Sequence, residues 1–293
     1  MKPRSLLYTL FGDFVQFYGG EVWIGTLIKM MGHFGVSESS VRGAILRLVQ
    51  QDLITGRKIG NKSYYSLTQK GKRNMDDGVK RVYTIRNNHW DGLWRVVTYS
   101  IPEEKRVLRN QVRKELSWTG FGLLSNSIWV SPNPLEKQVL SLMDTYDLKD
   151  YLVIFSSSQV ITHSNEEILR ACWNLNEINK NYLTFIQQYE TKLQDMQQAV
   201  WDDDISNEEC FYERTRLVHE YRKFLFLDPG FPLDLLPEDW HGTKARELFW
   251  NIHQLTSVKA VKYFESIMEY PPDKAGFVNR EKAINPFSEI YHD

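Results

Sequence analysis

The chain has 293 residues, with 36 Lys and Arg against 37 Asp and Glu, and 13% of its residues are aromatic. This length predicts two or three domains, and the aromatic content excludes a disordered chain. No apolar run approaches the ~20 residues needed to cross a bilayer, and the N-terminus lacks the apolar core of a signal peptide. We therefore expect a cytoplasmic protein with no membrane partner.

The near-neutral total hides an uneven distribution of charge. Residues 1–87 carry 14 Lys and Arg against 6 Asp and Glu, a balance of +8, so the rest of the chain carries −9 to give the total of −1. A basic head of this kind is typical of a protein that binds phosphates, with an affinity that falls as salt rises. The alternative is a solvated surface without a partner, which is the usual meaning of a charge run.

The basic head begins with apolar residues at helical spacing, first from Leu6 to Phe14 and then from Trp23 to Met31. A third helix is predicted after Ser37 or Ser39, either of which can cap its first turn. Its buried face is expected at positions i, i+4, i+7 and i+8, which are Val41, Ile45, Leu48 and Val49.

Two strand-like stretches follow, on either side of Gly60-Asn61. Both residue types tolerate positive φ, so this dipeptide predicts a two-residue hairpin turn. The order helix, helix, helix, hairpin predicts a winged helix-turn-helix domain. In that geometry the third helix lies in the major groove of duplex DNA and the hairpin, or wing, contacts an adjacent phosphate or the minor groove.

The predicted DNA contacts follow from this arrangement. Arg47 is the expected base reader, and Gly43 allows the helix backbone to approach the groove floor. Arg42, Lys58 and Lys62 are expected to contact mainly phosphates. The full predicted set lies on the third helix and the wing: Ser39, Ser40, Arg42, Gly43, Arg47, Arg57, Lys58, Lys62 and Tyr64.

The rest of the chain predicts two further domains. A polar linker at residues 84–92 is followed by the order β-α-β-β-α-β up to residue 155, which is the ferredoxin-like pattern. From about residue 170 the pattern turns helical, with a long apolar seam from Leu175 to Leu193 that should pack on another helix or on a partner subunit. The predicted fold class is α+β multidomain, with domains at residues 1–87, 88–170 and 171–293.

Three sequence blocks resemble the PaaX family, the repressors of phenylacetic acid catabolism, over nearly the full length. The blocks are Val41–Leu48 with Ser63–Thr68, Trp118–Gly122 with Ser131-Pro132, and Asp228–Pro232 with Leu235–Trp240. The resemblance implies a homodimeric repressor of aromatic-acid degradation genes that is released from palindromic operator DNA by phenylacetyl-coenzyme A, without a cofactor. The chain departs from the family at Asp52, where Gly is preferred, and at Asn61, where a second wing cation is expected. Asp tolerates the left-handed conformation well enough that the turn at Asp52 should survive.

The middle domain also resembles the ferredoxin-like nucleases associated with CRISPR arrays, which place a metal-binding Asp after the first strand. Ser100 stands at that position, and a hydroxyl is a poor sole ligand for Mg²⁺, so we expect an inactive domain that serves dimerisation or relay. Asp202-Asp203-Asp204 is expected to be a solvated turn or helix start rather than a metal site. Cys172 and Cys210 have no CxxC spacing and are expected to be reduced thiols. No motif predicts an enzyme.

A coenzyme A thioester requires cations for its phosphates and an apolar slot for its phenyl group. The candidate effector wall combines four cations with three apolar residues: Arg214, Arg216, Arg222, Lys223, Phe231, Leu236 and Trp240. The alternative is that Arg222 pairs with Asp228 or Glu220 and that the aromatic residues are core. Other functions remain open, namely a winged-helix regulator of a different acyl-coenzyme A or aromatic metabolite, an acyl-coenzyme A hydrolase, or an RNA-binding protein.

Overall fold

The computed structural model describes residues 1–86, 89–273 and 278–290. Its contacts divide the chain into two compact units. The first unit comprises Met1–Ile85, Thr184–Lys223 and Thr243–Glu289, and the second comprises Arg86–Leu183 and Phe224–Gly242. The chain is mixed α/β, with small sheets and a helical C-terminal region, which agrees with the predicted class at this level.

The first unit begins with the three predicted helices and the predicted hairpin. The elements are α1 (Pro3–Asp13), β1 (Glu21–Trp23), α2 (Ile24–Gly32), α3 (Glu38–Gln50), β2 (Ile54–Ile59), β3 (Lys62–Leu67) and α4 (Gln69–Tyr83). Strand β1 was not predicted, because three residues are too few to show an alternating pattern. It pairs with β3, so that the antiparallel sheet has the order β1-β3-β2.

The predicted linker at residues 84–92 is partly wrong, because its first residues form a strand. Strand β4 (Thr84–Arg86) pairs with a C-terminal strand, β9, which covers Ser288–Ile290. A three-residue strand with a single apolar residue, Ile85, gives no pattern that distinguishes it from a loop. Asn87 and Asn88, also part of that predicted linker, lie outside the described residues.

The second unit contains the predicted order of strands and helices. It runs through β5 (Trp94–Tyr99), α5 (Arg106–Thr119), β6 (Gly122–Ser125), β7 (Ile128–Ser131), α6 (Glu136–Tyr146) and β8 (Leu152–Ser157), and then through α7 (Asn165–Cys172), which was not predicted. The strands form an antiparallel sheet in the order β6-β7-β5-β8. Buried residues of α5 and α6, including Val112, Leu116 and Val139, belong to one core with Val97 and Leu152 of the sheet.

The C-terminal region is helical, as predicted. Its helices are α8 (Leu175–Trp201), α9 (Asn207–Tyr221), α10 (Gly242–Ile267) and the short α11 (Arg280–Ile284). The apolar seam of α8 packs within the chain, since the ring of Phe185 lies 5.7 Å from that of Tyr221 on α9. None of the described helices combines the length and the apolar character that a bilayer crossing requires.

A buried ion pair lies in the core of the first unit, between α1 and α9. The Asp13 carboxylate accepts hydrogen bonds from Arg214 at 2.7 Å and from the Tyr83 hydroxyl at 2.6 Å. The side chains of Asp13 and Arg214 are both fully buried. Burial alone would raise the pKa of Asp13, but Arg214 and His253 outweigh it and hold that pKa well below its usual range. The carboxylate is therefore ionised inside the core.

A second buried polar contact joins α1 to α9 through His219. This side chain is 3% exposed, and its Nδ1 lies 2.9 Å from the Thr9 hydroxyl. Burial, together with the nearby charges of Arg222 and Lys223, lowers the pKa of His219 from 6.5 to about 4. The folded state therefore favours the neutral imidazole.

His219 should make the stability of the protein sensitive to acid. Because its pKa is lower in the folded state, its contribution is complete above pH 6.5 and is lost as the pH falls towards 4. The free energy of unfolding should fall when the pH is lowered from 7 to 5, both in the unsubstituted protein and in His219→Gln. We expect this fall to be smaller in His219→Gln by roughly 1–2 kcal/mol. Urea denaturation at both pH values measures this difference. His163→Gln, at an exposed position, is the control, and an equal loss in both variants would contradict the prediction.

Candidate nucleic-acid interface

Helix α3 has one buried face and one exposed face. Val41, Ile45 and Leu48 are at most 3% exposed and pack in the core of the first unit. Val49 is 40% exposed, so its predicted burial is wrong. At about 100° per residue, a residue eight positions after Val41 is rotated by about 80° from it, which is enough to leave the buried stripe.

Ser37 caps α3, which decides between the two predicted caps. Its Oγ accepts a hydrogen bond from the backbone N–H of Ser40 at 3.3 Å. The Ser39 hydroxyl lies 3.0 Å from the same Oγ. Ser39 and Ser40, both predicted DNA contacts, thus lie in the first turn, where backbone N–H groups have no partner within the helix.

Arg47 and Gly43 lie one turn apart on α3. A Cβ built on Gly43 would have the Arg47 guanidinium as its nearest neighbour, at 3.8 Å, so the backbone here is open. Arg47 is exposed, and among the residues the structure describes its side chain has no hydrogen-bond or ion-pair partner. Arg42 differs, because it pairs with Glu38 one turn earlier at 2.6 Å. Arg47 is therefore the available cation of this face.

One exposed residue of this face, Leu46, was not predicted from the sequence. Leu46 is 57% exposed although it is a large apolar side chain. Apolar side chains in the major groove contact the methyl group of thymine. The available signal was its position, because Leu46 does not share the spacing of the buried residues Val41, Ile45 and Leu48.

The turn that leads from α3 to the wing forms with Asp52 in place of Gly, as expected. Asp52 has a φ of 55°, in the left-handed region. The Thr68 hydroxyl donates to the Asp52 carbonyl at 2.7 Å and ties this turn to the start of α4. Asp and Asn are the residues other than Gly that most readily adopt this conformation.

The wing is the antiparallel hairpin of β2 and β3. Ile59 pairs with Lys62, so Gly60-Asn61 forms the predicted two-residue turn, and Gly60 has a φ of 57°. Side chains alternate between the two faces of a strand, and directly opposite residues share a face. Since Lys58 is opposite Ser63, it lies on the other face from Arg57 and Lys62.

The three wing cations have different surroundings. Arg57 forms ion pairs with Glu21 at 2.6 Å and Asp273 at 2.8 Å, and Lys62 pairs with Glu269. Lys58 is exposed, and within the described part of the chain it has no such partner.

Tyr64, predicted to contact DNA, is 3% exposed and belongs to the interior of the wing sheet. A side chain with so little accessible surface has nothing to present to a ligand. The sequence could not show this, because β3 alternates between two faces and only the packing decides which one is covered.

Three models of one protein family match the chain in order. The PaaX-like protein model matches residues 2–71, the PaaX protein central Cas2-like domain matches residues 87–169, and the PaaX-like protein C-terminal domain matches residues 173–266. The transcriptional repressor PaaX of Escherichia coli is 32% identical over 294 residues, covering 97% of this chain and 92% of that protein. This chain belongs to the PaaX family.

Membership of the PaaX family confirms the resemblance drawn from the three sequence blocks. The Escherichia coli relative is a regulator rather than an enzyme, which is the predicted class. Among solved structures, the chain is similar to the uncharacterized protein Rv0674 from Mycobacterium tuberculosis, with 20% identity over 89% of this chain and 96% of that one, and a TM-score of 0.49.

The predicted PaaX effector wall takes its residues from both compact units. Arg214, Arg216, Arg222 and Lys223 belong to the first unit, whereas Phe231, Leu236 and Trp240 belong to the second. Arg214 is fully buried against Asp13 and has no surface to offer a ligand.

The other predicted effector residues also have partners of their own. Arg222 donates to the Ser5 hydroxyl at 3.1 Å, and Lys223 pairs with Glu220 at 2.5 Å. The sequence had offered Asp228 or Glu220 as the alternative partner of Arg222. The partner in the structure is instead the hydroxyl of Ser5. Arg216 is half-buried.

The aromatic residues of the predicted wall contribute to the packing of the second unit. The ring of Phe231 lies 5.1 Å from Trp173 in an edge-to-face contact, and that of Trp240 lies 5.7 Å from Tyr182. Such geometry is typical of aromatic side chains packed in a core. Phe231 is 6% exposed.

A cavity of about 940 Å³ lies in the second unit, and Leu236 is one of its lining residues. Its charged lining residues are Glu166, Arg170, Asp234 and Asp239. Arg170 already pairs with Glu166 at 2.6 Å. The negative balance of this lining disfavours the phosphates of a coenzyme A thioester.

The remaining candidate sites have ordinary surroundings. Ser100 follows β5 and is exposed, and its N–H donates to the Tyr151 carbonyl at 2.8 Å. Asp203 has a φ of 53° in a turn and pairs with Lys259 at 2.5 Å. No group of three or more potential ligands is placed for a metal ion within the residues described. Cys210 is buried and Cys172 is partly exposed, and both are free thiols.

Proposed function

We propose that this protein is a cytoplasmic transcriptional repressor that binds duplex operator DNA of phenylacetate catabolism genes through α3 and the wing. The observation that carries the proposal is that Arg47 is exposed and has no partner among the described residues, on a capped helix that leads directly into a cationic hairpin. The order α1-β1-α2-α3-β2-β3 with the sheet β1-β3-β2 supports a winged helix-turn-helix. The named function of the Escherichia coli relative supports the same conclusion.

The proposed DNA contacts lie on α3 and the wing. Arg47 reads a base, Leu46 contacts a thymine methyl group, and Gly43 allows close approach of the helix. The phosphate contacts come from Lys58 and Arg42 and from the hydroxyl groups of Ser39 and Ser40 in the first turn of α3. Tyr64 is left out because it is buried.

The proposed organisation is three domains, at residues 1–87, 88–170 and 171–293. The sheet order β6-β7-β5-β8, with every pair antiparallel, supports a ferredoxin-like middle domain. We assign dimerisation or relay to this domain and no catalysis, since Ser100 replaces the carboxylate. A homodimer with two-fold symmetry would place two α3 helices on the half-sites of a palindrome.

The proposed effector is phenylacetyl-coenzyme A, which follows from the family. Release from DNA requires the thioester to favour a form of the protein that fits the operator less well. A coupling of about 1–3 kcal/mol, or roughly 5- to 150-fold in affinity, is typical of such linkage. By reciprocity the operator must weaken effector binding by the same factor. The burial of Arg214 and the acidic lining of the cavity do not support the effector site that was predicted from sequence.

The decisive experiment is fluorescence anisotropy of the purified protein with duplex DNA from upstream of its own gene, at fixed salt. We expect selective binding over unrelated duplex and over single strands, and release by phenylacetyl-coenzyme A but not by free phenylacetate. Selective binding that ignores the thioester would keep the DNA contact and reject the effector. A preference for single-stranded RNA, or turnover of the thioester, would reject the repressor.

A further inference from the structure

The wing contacts an acidic segment of its own chain, which we define as residues 269–273, after the end of α10 at Ile267. Arg57 donates from Nη1 and Nη2 to both carboxylate oxygens of Asp273, at 2.8 and 2.9 Å. Lys62 donates to Glu269. Both carboxylates and both cations belong to the first unit. One cation on each strand of the wing is thus paired with a carboxylate of the same short segment.

Strand β1 holds these cations in place from the other side. Arg57 also donates from Nε and Nη2 to the two oxygens of Glu21, at 2.6 and 2.7 Å. Glu21 is 3% exposed, whereas the side chain of Asp273 is 56% exposed. The Lys62 ammonium lies 4.8 Å from the centre of the Trp23 ring. The buried partner therefore fixes the guanidinium, and the exposed partner can exchange.

The exposed partners are the ones that a DNA backbone can replace. A carboxylate and a phosphate both present paired oxygens to a guanidinium, so they compete for the same donors. Half-exposed ion pairs contribute little to stability because water and salt screen the two charges, so their exchange costs little. The side chain of Glu269 is 40% exposed, and that of Lys62 is 45% exposed.

We propose that the acidic segment is an autoinhibitory contact of the wing. Glu269 and Asp273 hold Lys62 and Arg57 away from DNA phosphates, and the segment must leave before the wing closes on the duplex. Lys58, on the opposite face, is the wing cation that makes the first contact. This inference rests on the proposed DNA-binding function and adds a regulation of the same site.

The test is the double variant Glu269→Gln/Asp273→Asn, which keeps the size of both side chains and removes both charges. We expect its affinity for the upstream duplex to rise by about threefold to tenfold, because two half-exposed ion pairs no longer oppose binding. The plot of log affinity against log salt should steepen by up to about two units, since each freed cation then releases about one counterion.

The matched control is Asp195→Asn/Asp204→Asn. It changes the net charge equally at two exposed carboxylates that have no side-chain partner among the residues described. Equal affinity and equal salt dependence in the two double variants would overturn the inference. Adding Arg57→Ala and Lys62→Ala to Glu269→Gln/Asp273→Asn restores the original net charge and should abolish the gain, and a gain that persists would show that it does not come from these two cations.

Retention on heparin, a polyanion, separates failure of this inference from failure of the proposed function. A later elution of Glu269→Gln/Asp273→Asn than of Asp195→Asn/Asp204→Asn shows that the acidic segment masks the wing. Later elution without selective duplex binding in any variant would reject the repressor and, with it, the autoinhibition of DNA binding. Selective duplex binding that is identical in all variants would reject the autoinhibition and leave the repressor standing.

Discussion

Replacing Arg214 with Met is expected to lower the free energy of unfolding by about 3–5 kcal/mol, because it leaves the Asp13 carboxylate buried without its cation. Both side chains are fully buried, and Arg214 donates to both Asp13 oxygens and to the Asp13 carbonyl. Met fills most of the volume of Arg, so the loss reports the charge rather than a cavity. Urea denaturation measured by circular dichroism gives the difference.

Two further variants make this result specific. Lys244→Met removes an exposed pair with Glu190, so it should cost less than about 1 kcal/mol. In Asp13→Asn/Arg214→Met both charges are gone while an amide oxygen remains for the Tyr83 hydroxyl, so most of the loss should be recovered. If Arg214→Met and Lys244→Met cost the same, the ion pair does not hold α1 against α9. The packing of α1 against α9 would then depend on their apolar contacts.

Arg47→Ala is expected to weaken binding of the upstream operator by about 1–3 kcal/mol, roughly 5- to 150-fold, and to relax discrimination at one base position. The reason is that Arg47 is exposed and uncommitted on the outer face of α3, beside the open backbone at Gly43. Anisotropy with the operator and with a set of single-base variants measures both effects. Thermal unfolding should not change, since the side chain makes no hydrogen bond or ion pair with the described residues.

Lys58→Ala is the matched control for Arg47→Ala. A phosphate contact carries no sequence information, so its loss should weaken all duplexes about equally and reduce the salt slope by about 1. Should Arg47→Ala also weaken every duplex equally, Arg47 contacts a phosphate and the base reader lies elsewhere on α3. Leu46 and the first turn of the helix would then be the next residues to test.

Local patterns predicted most of the elements well. The cap at Ser37, the apolar spacing of α3 and the turn at Gly60-Asn61 each depend on residues within a few positions of one another, so the sequence contains the whole interaction. Strand β1 and helix α7 were not predicted, because they are too short to show a period. Val49 was predicted to be buried but lies just outside the buried face of α3.

The fates of the charged residues depended on contacts between distant parts of the chain. Arg214 was expected at a ligand site and lies in the core against Asp13, 201 positions away. Arg57 was expected on DNA and is held by Asp273, 216 positions away. The sequence does not show whether a cation is buried, paired or free, because its neighbours in the chain do not determine which carboxylate it contacts.

By itself, the sequence determined most of the helices and strands, the basic head and the family, because these follow from local spacing, composition and long matching blocks. Only the tertiary structure decided which of the predicted cations are available. Arg47 and Lys58 remain free within the described chain, Arg57 and Lys62 are held by carboxylates, and Arg214 is buried. The physical reason is that the pairing of charges is a long-range property of the packed chain.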